Sequence, residues 1–345
     1  MPEALSPLLL AIRQLSHGRS LSSPETAAAF GVVMRGEASP AQIAALLIGL
    51  RTKGETAEEV AGAVSALRTE MVRLPLADSA IVIDTCGTGG GAVGTINIST
   101  PAAFVAAAAG ASVAKHGNRS FTSRSGSADL FEALGVSIAL PVEHSARLLV
   151  EQGLTFLFAP AYHPAMRHVA AVRRELGVAT VMNLVGPLAN PAGVRRQVLG
   201  VADRDRANLM AQALNRLGVD HAMIVNADIG MDEISPHGST AVWEVKDGEV
   251  LMWQIEPASV GLESDNLAGL AGGSAEENAA RVEALFAGTG EPVVRNAVLL
   301  NAGASLYVSE KAESFAEGVE MARTALDGGR ALELLARLRR AAPHS

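Results

Sequence analysis

At residue 80 the hydrophobic pattern changes period, and that change constrains the architecture more than any other feature. Before it, apolar residues recur at helical spacing: Ile43, Leu46, Leu47 and Leu50 line one face of a predicted helix. Ser39-Pro40-Ala41-Gln42 and Thr56-Ala57-Glu58-Glu59 read as capping boxes, the first with proline at the first helical position. Gly36 and Gly54 punctuate helix ends, and no strand pattern occurs in residues 1–75. After the change, short runs of β-branched and apolar residues alternate with helical stretches. Residues 80–83 (Ala-Ile-Val-Ile), 112–114, 155–158, 197–201 and 222–225 read as strands, and 100–109, 127–134 and 204–217 as intervening helices. Such alternation gives a mainly parallel sheet with helices on both faces. The C-terminal third carries a hairpin signal at Asp247-Gly248 and helical patterns over 275–286, 293–306 and 315–326. The expectation is an α/β protein in which a small N-terminal α-helical domain feeds a large, mainly parallel α/β domain.

Charge and composition narrow the function classes. Lys and Arg total 28 against 36 Asp and Glu, a net charge of −8, which argues against general nucleic-acid or anionic-membrane binding. The single cysteine, Cys86, cannot form an internal disulfide. No signal-peptide pattern opens the chain, and the apolar run 102–110 is far short of the roughly 20 residues of a spanning helix. These features read as a soluble cytoplasmic protein.

Chemistry concentrates between Asp84 and Asp129. The first loop, from Asp84 to Thr100, holds Gly87, Gly89, Gly90, Gly91 and Gly94 and closes on Thr95, Asn97, Ser99 and Thr100. The second runs Lys115-His116-Gly117-Asn118-Arg119-Ser120 and on to Ser125-Gly126-Ser127-Ala128-Asp129. Glycines let backbone N–H groups approach a ligand, while hydroxyls and cations supply the further donors that phosphate oxygens need. Gly89-Gly90-Gly91-Ala92-Val93-Gly94 formally matches a dinucleotide fingerprint. The helix signal, however, waits until Thr100-Pro101, and Lys115 lies near where a ribose-binding acid belongs. No Gly-Lys-Ser/Thr follows to make a Walker loop. Cys86 with His116 has no third group to orient a nucleophilic dyad, so Cys86 reads as a packing residue.

Taken with Gly87-Thr88-Gly89-Gly90 and Asn97-Ile98-Ser99-Thr100, the second loop closely resembles the anthranilate phosphoribosyltransferase family. The match continues through Phe158-Ala159-Pro160, His163-Pro164-Ala165-Met166-Arg167 and Val172-Arg173-Arg174-Glu175-Leu176-Gly177. It extends through residues 183–191 to Met231-Asp232-Glu233-Ile234-Ser235, so ordered segments span roughly residues 35–236. The resemblance implies a fold of nucleoside phosphorylase/phosphoribosyltransferase type. Residues 1–75, with about 168–190, would form the helical domain, and 76–167 and 191–345 the α/β domain. It also implies a homodimer that joins anthranilate to 5-phosphoribosyl 1-diphosphate with magnesium, two ions per subunit, in tryptophan biosynthesis. The resemblance leaves open whether the chain acts alone or with an anthranilate synthase partner.

Residue by residue, the resemblance places phosphoribosyl diphosphate on Gly87, Gly90, Gly91, Thr95, Asn97, Ile98, Ser99 and Thr100. The second loop adds Lys115, His116, Gly117, Asn118, Arg119, Ser120, Phe121, Thr122, Ser123 and Ser127. Anthranilate falls to Gly87, Asn118 and Arg173, with His116, Pro160 and His163 beside its path. Ser99, Asp232 and Glu233 would hold magnesium. Displacement at an anomeric carbon needs leaving-group stabilisation and positioning, so Lys115, Asn118 and Arg173 are expected to position and stabilise charge, with no acid or base assigned. The chain departs from the family at Gly91, where aspartate is usual, at Asn226-Ala227 in place of histidine-glycine, at Phe121-Thr122 and at Ala179. Three other readings compete: a paralogue with another aromatic acceptor, a nucleoside phosphorylase, and a noncatalytic binding protein on the same fold.

Overall fold

The structure is a computed structural model describing residues 5–77, 80–91, 93–120 and 124–341. Four helices open the chain: α1 (Pro7–Ser16), α2 (Ser23–Met34), α3 (Pro40–Lys53) and α4 (Ala57–Thr69). Ser6, Ser22, Ser39 and Thr56 cap them, each side chain accepting from a first-turn backbone N–H. The predicted stripe Ile43, Leu46, Leu47 and Leu50 is buried on α3. The rest alternates as β1 (Ile83–Gly87), α5 (Ser99–Ala108), β2 (Val113–Gly117), α6 (Ser127–Ala133), α7 (Val142–Gln152) and β3 (Leu154–Phe158). Next come the short α8 (Ala159–Tyr162), α9 (Arg167–Leu176), α10 (Met182–Val185), β4 (Arg196–Gly200), α11 (Arg204–Arg216) and β5 (His221–Ala227). The hairpin β6 (Thr240–Lys246) and β7 (Glu249–Ile255) turns at Asp247 and Gly248, both with positive φ. Helices α12 (Ala275–Phe286), α13 (Pro292–Val308), α14 (Phe315–Asp327) and α15 (Arg330–Arg340) follow.

The seven strands form one sheet in the order β3-β2-β1-β4-β5-β6-β7, parallel from β3 to β5 and antiparallel beyond. Side chains alternate between its faces. Val198, Met223, Val225 and Val242 pack into a core with α5 and α12 to α15. Leu199, Ala222, Ile224, Ala241 and Trp243 face a second core shared by α11 and the N-terminal helices. Val169, Val172, Met182, Leu184 and Leu188 join that second core, so α9 and α10 pack with the small helical domain although they follow β3 in sequence.

Two strands run furthest past their predicted ends. Pairing of β1 with β4 begins at Ile83 and runs to Gly87, beyond the run at 80–83. The polar residues Asp84 and Thr85 are held there by neighbours: Asp84 Oδ1 accepts from His116 N at 3.0 Å, Thr85 Oγ1 donates to Ser99 O at 3.3 Å and the Thr85 carbonyl accepts from Lys115 Nζ, while Asp84 Oδ2 has no hydrogen-bond partner among the described residues. For the same reason β2 runs on through Lys115 and His116 to Gly117 instead of ending at 114. Helices α7 and α15 lie outside the segments read as helical. Among the described residues no helix is long and apolar enough to cross a membrane.

Candidate active site

The strand order reverses between β1 and β4, and in open α/β sheets the crevice beyond the carboxyl ends at such a point is where ligands bind. Gly87 ends β1 and pairs with Gly200, which ends β4. The chain following β5 presses against this point: a Cβ on Gly200 would lie 1.7 Å from the Asp232 carbonyl oxygen, so only glycine fits. The first loop is stapled to β4, with Thr88 N donating to Gly200 O at 2.9 Å and Ala202 N to Thr88 Oγ1 at 3.2 Å. Gly89 and Gly90 then turn it with φ of 67° and 80°.

Across the crevice stand two adjacent carboxylates. Glu233 Oε1 accepts from Ser99 N at 3.1 Å, at the start of α5. Lys115 Nζ donates to Thr85 O and, at 3.2 Å, to Ser99 Oγ. The Glu233 carboxyl is pushed up to about 8, first by burial and then by the neighbouring Asp232 charge. Burial also raises Asp232 and lowers Lys115. Fully deprotonated, the pair would carry more negative charge than one lysine offsets, and a divalent cation would favour that form. Among the described residues no group of three His, Cys, Asp or Glu forms a complete cage. Magnesium suits such a place because it takes one or two carboxylates and completes its shell with phosphates and water.

The second loop is held from its outer side. Asp129 Oδ2 accepts from Gly126 N at 2.8 Å and Ser120 N at 3.3 Å. Arg119 pairs with Asp129 at 2.9 Å and Glu132 at 2.6 Å and stacks over Phe158, so its cation braces the loop. Asn118 Oδ1 accepts from Arg119 N at 2.8 Å, and Ser127 Oγ faces Asn118 O at 3.5 Å. A Cβ on Gly117 would meet Ser127 Oγ at 2.2 Å, which keeps β2 close to α6. The Asn97 amide donates to Ser125 O at 2.9 Å and accepts from Asn278, so this side chain joins the two loops. Thr95 forms a bridge with Ala271, Ile98 is buried, and the Thr100 hydroxyl is buried without a partner among the described residues. Phe121, Thr122 and Ser123 lie outside the described residues.

On the far side, the His116 and His163 rings lie 5.0 Å apart. Burial pulls their pKa values down to about 3 and about 4, so both are neutral at pH 7. Pro160 lies on α8, the short helix leading to His163. Arg173 lies on α9, which packs against α2 and α3. Its half-buried guanidinium has no hydrogen-bond or ion-pair partner among the described residues, and burial lowers its pKa. Thus Ser99, Lys115 and Glu233 are brought into one bonded cluster with Asp232 and Gly87 alongside. No hydrogen bond links Arg173 to that cluster.

Sequence reasoning gave no role to Thr85, Gly200 or Asn278. Thr85 and Gly200 could be anticipated as strand ends at a switch point, whereas nothing local marks Asn278. Cys86 is a packing residue, its Sγ 3.7 Å from Pro187 O and from Gln197 Nε2. Asn226, which replaces the family's usual histidine, ties β5 to Val201 O at 2.8 Å. A Cβ on Gly91 would lie 3.0 Å from Asp232 Oδ1. Gly91→Asp would therefore add a third carboxylate at the pair, and the magnesium titration of activity is expected to shift. An unchanged titration would contradict this placement.

Residues 79–332 match the family described as "Glycosyl transferase family, a/b domain", and residues 10–71 match "Glycosyl transferase family, helical bundle domain". The anthranilate phosphoribosyltransferase of Thermomicrobium roseum is 49% identical over 331 residues, covering 95% of each chain. The enzyme of that name from Laribacter hongkongensis is 46% identical over 328 residues, covering 95% of this chain and 96% of its own. Among solved structures, anthranilate phosphoribosyltransferase from Thermus thermophilus superposes with a TM-score of 0.90 at 43% identity, covering 96% of this chain and 98% of its own. The Saccharomyces cerevisiae enzyme in complex with phosphoribosyl diphosphate and magnesium gives 0.87 at 29% identity, covering 97% of both.

Proposed function

The chain belongs to the glycosyl transferase family that includes the anthranilate phosphoribosyltransferases, and we propose that the crevice between β1 and β4 is where it does that family's chemistry. It is an enzyme that transfers the phosphoribosyl group of 5-phosphoribosyl 1-diphosphate to the amine of anthranilate, a step of tryptophan biosynthesis. The products are N-(5-phosphoribosyl)anthranilate and diphosphate, and magnesium takes part. The observation that carries the placement is the cluster of Asp232, Glu233, Ser99 and Lys115 at the mouth of the sheet.

In this reading the anthranilate nitrogen attacks the anomeric carbon of the ribose. The bond from that carbon to the diphosphate oxygen breaks, and the nitrogen sheds a proton to the departing diphosphate or to water. The departing oxygens gather negative charge, which fixed donors stabilise best in a site shielded from water. Gly87, Gly90, Gly91, Thr95 and Asn97 through Thr100 would line the phosphate cradle, joined by the second loop from Lys115 to Ser123 and by Ser127. Asn97 and Arg119 would contribute by bracing the loops with their side chains, the Arg119 N–H being taken already by Asn118 Oδ1. Asp232, Glu233 and Ser99 would hold magnesium, two ions per subunit, which supplies positive charge to the diphosphate. Arg173 would take the anthranilate carboxylate in its planar fork, with Gly87, Asn118, His116, Pro160 and His163 around the ring. No residue is assigned as acid or base, in keeping with the low pKa of both histidines.

We place the helical domain at residues 1–75 with about 168–190, supported by the core that Val169 to Leu188 share with α1 to α4. Residues 76–167 and 191–345 form the α/β domain. A homodimer acting in the cytoplasm, alone or with an anthranilate synthase partner, completes the proposal. The retained carboxylate pair speaks against a noncatalytic protein. The nearly full-length relatives favour anthranilate over another aromatic acceptor and phosphoribosyl transfer over nucleoside phosphorolysis. Loss of anthranilate fluorescence on mixing protein, magnesium and both substrates tests the reading; no loss would refute it.

A further inference from the structure

The closing half of the first loop does not stand alone. Ile96 N donates to Leu270 O at 2.8 Å, Gly272 N to Gly94 O at 3.2 Å, and Thr95 bridges Ala271 antiparallel. Arg281 fixes the outer segment through Ala271 O at 2.6 Å, Gly269 O and Glu291 at 2.8 Å. Just beyond lies Asn278 on α12, only 1% exposed. Its Oδ1 accepts from Gly273 N at 2.8 Å, and its Nδ2 donates to Asn97 Oδ1 at 3.1 Å and Gly273 O at 3.4 Å. Asn97 in turn donates to Ser125 O at 2.9 Å and accepts from Ser125 Oγ at 3.3 Å.

This chain of bonds has a direction. A backbone N–H only donates, so Gly273 turns the Asn278 oxygen toward itself and the Asn278 NH2 group toward Asn97. That leaves the Asn97 oxygen facing Asn278 and its NH2 group facing the Ser125 carbonyl. We infer that Asn278 is a positioning residue: through Asn97 it holds the return limb of the second loop in register with the first, and so shapes the phosphate cradle from outside it. The catalytic consequence rests on the functional reading above; the structural link does not. Arg173, the fork proposed for the anthranilate carboxylate, stands on α9 outside this chain of bonds, so that contact is not coupled to it even though Asn118 lies on the loop.

The substitution Asn278→Asp keeps shape and the bond from Gly273 but sets an acceptor against the Asn97 oxygen. A buried hydrogen bond replaced by such a mismatch is expected to raise the Michaelis constant for phosphoribosyl diphosphate about tenfold, leaving that for anthranilate within about twofold. Amide hydrogen exchange at residues 117–120 and 124–126 of the ligand-free variant is expected to accelerate about tenfold. In an Asn97→Ala background the same substitution should add little, because the link is already cut. Asn278→Ser serves as a second variant should Asn278→Asp fail to fold. Unchanged loop exchange, equal movement of both Michaelis constants, or additive effects in the double variant would each overturn the inference. If the wild-type protein binds no phosphoribosyl diphosphate by calorimetry, the functional reading falls, while the exchange measurement still decides the link.

Discussion

Replacing Arg173 by alanine is expected to raise the Michaelis constant for anthranilate about a hundredfold while leaving that for phosphoribosyl diphosphate within about twofold. The size follows from the environment of the guanidinium. It is half-buried, burial lowers its pKa, and no carboxylate pairs with it among the described residues. A cation held in this way gains more from an incoming carboxylate than one already hydrated, and a charge-assisted pair is worth about 1.5–3 kcal/mol. Arg174, its exposed neighbour, gives the contrast: Arg174→Ala should change neither constant. Arg173→Lys should recover only part of the loss, because an ammonium cannot reproduce the planar two-point fork. An anthranilate constant unchanged in Arg173→Ala would remove this residue from the site.

The second large effect belongs to Glu233. Glu233→Gln is expected to lower kcat/KM about a hundredfold, since a carboxylate proposed to hold magnesium would be lost from the point where charge develops. Its pH signature has a definite sign. The folded carboxyl titrates at about 8 against an ordinary value of 4.5. Between those values the folded protein holds a proton that the unfolded chain releases, so the stability of the ligand-free protein falls as pH rises through the window. A bound cation needs the deprotonated form and reverses the penalty. The stabilisation given by magnesium with phosphoribosyl diphosphate should therefore grow from pH 6 to pH 8. In Glu233→Gln the fall with pH should flatten and the added stabilisation shrink. An identical pH slope in wild type and variant, read from thermal midpoints, would contradict the placement.

Much of the architecture is legible because apolar spacing speaks locally. The stripe on α3, the capping boxes of α3 and α4, and the span of α12 follow from residue types near in sequence. The strands slip where chemistry enters them. β1 reads as 80–83 from its β-branched run, yet its paired part holds Asp84 and Thr85, whose polar groups meet partners distant in sequence: His116 N for Asp84, and Ser99 O and Lys115 Nζ for Thr85. The site divides in the same way. Glycines, hydroxyls and Lys115 announce an anion cradle, but what each side chain faces depends on distant partners. Arg119 reads as a phosphate donor until Asp129 and Glu132 are seen to hold it. Asn97 reads the same way until Asn278, far along the chain, is seen to turn it. Adjacent acids such as Asp232 and Glu233 are ordinary on a surface. Only the resemblance singles them out in sequence, and only the fold brings Ser99 and Lys115 to them.

The central claim is that the crevice between β1 and β4 joins a phosphoribosyl group to anthranilate. Its most direct test is a mixture of the purified chain, magnesium, phosphoribosyl diphosphate and anthranilate, with anthranilate fluorescence followed in time and the product weighed by mass spectrometry. The account predicts that fluorescence falls only when all components are present, as one phosphoribosylated anthranilate and one diphosphate appear for each anthranilate consumed. Steady fluorescence in the complete mixture would contradict it.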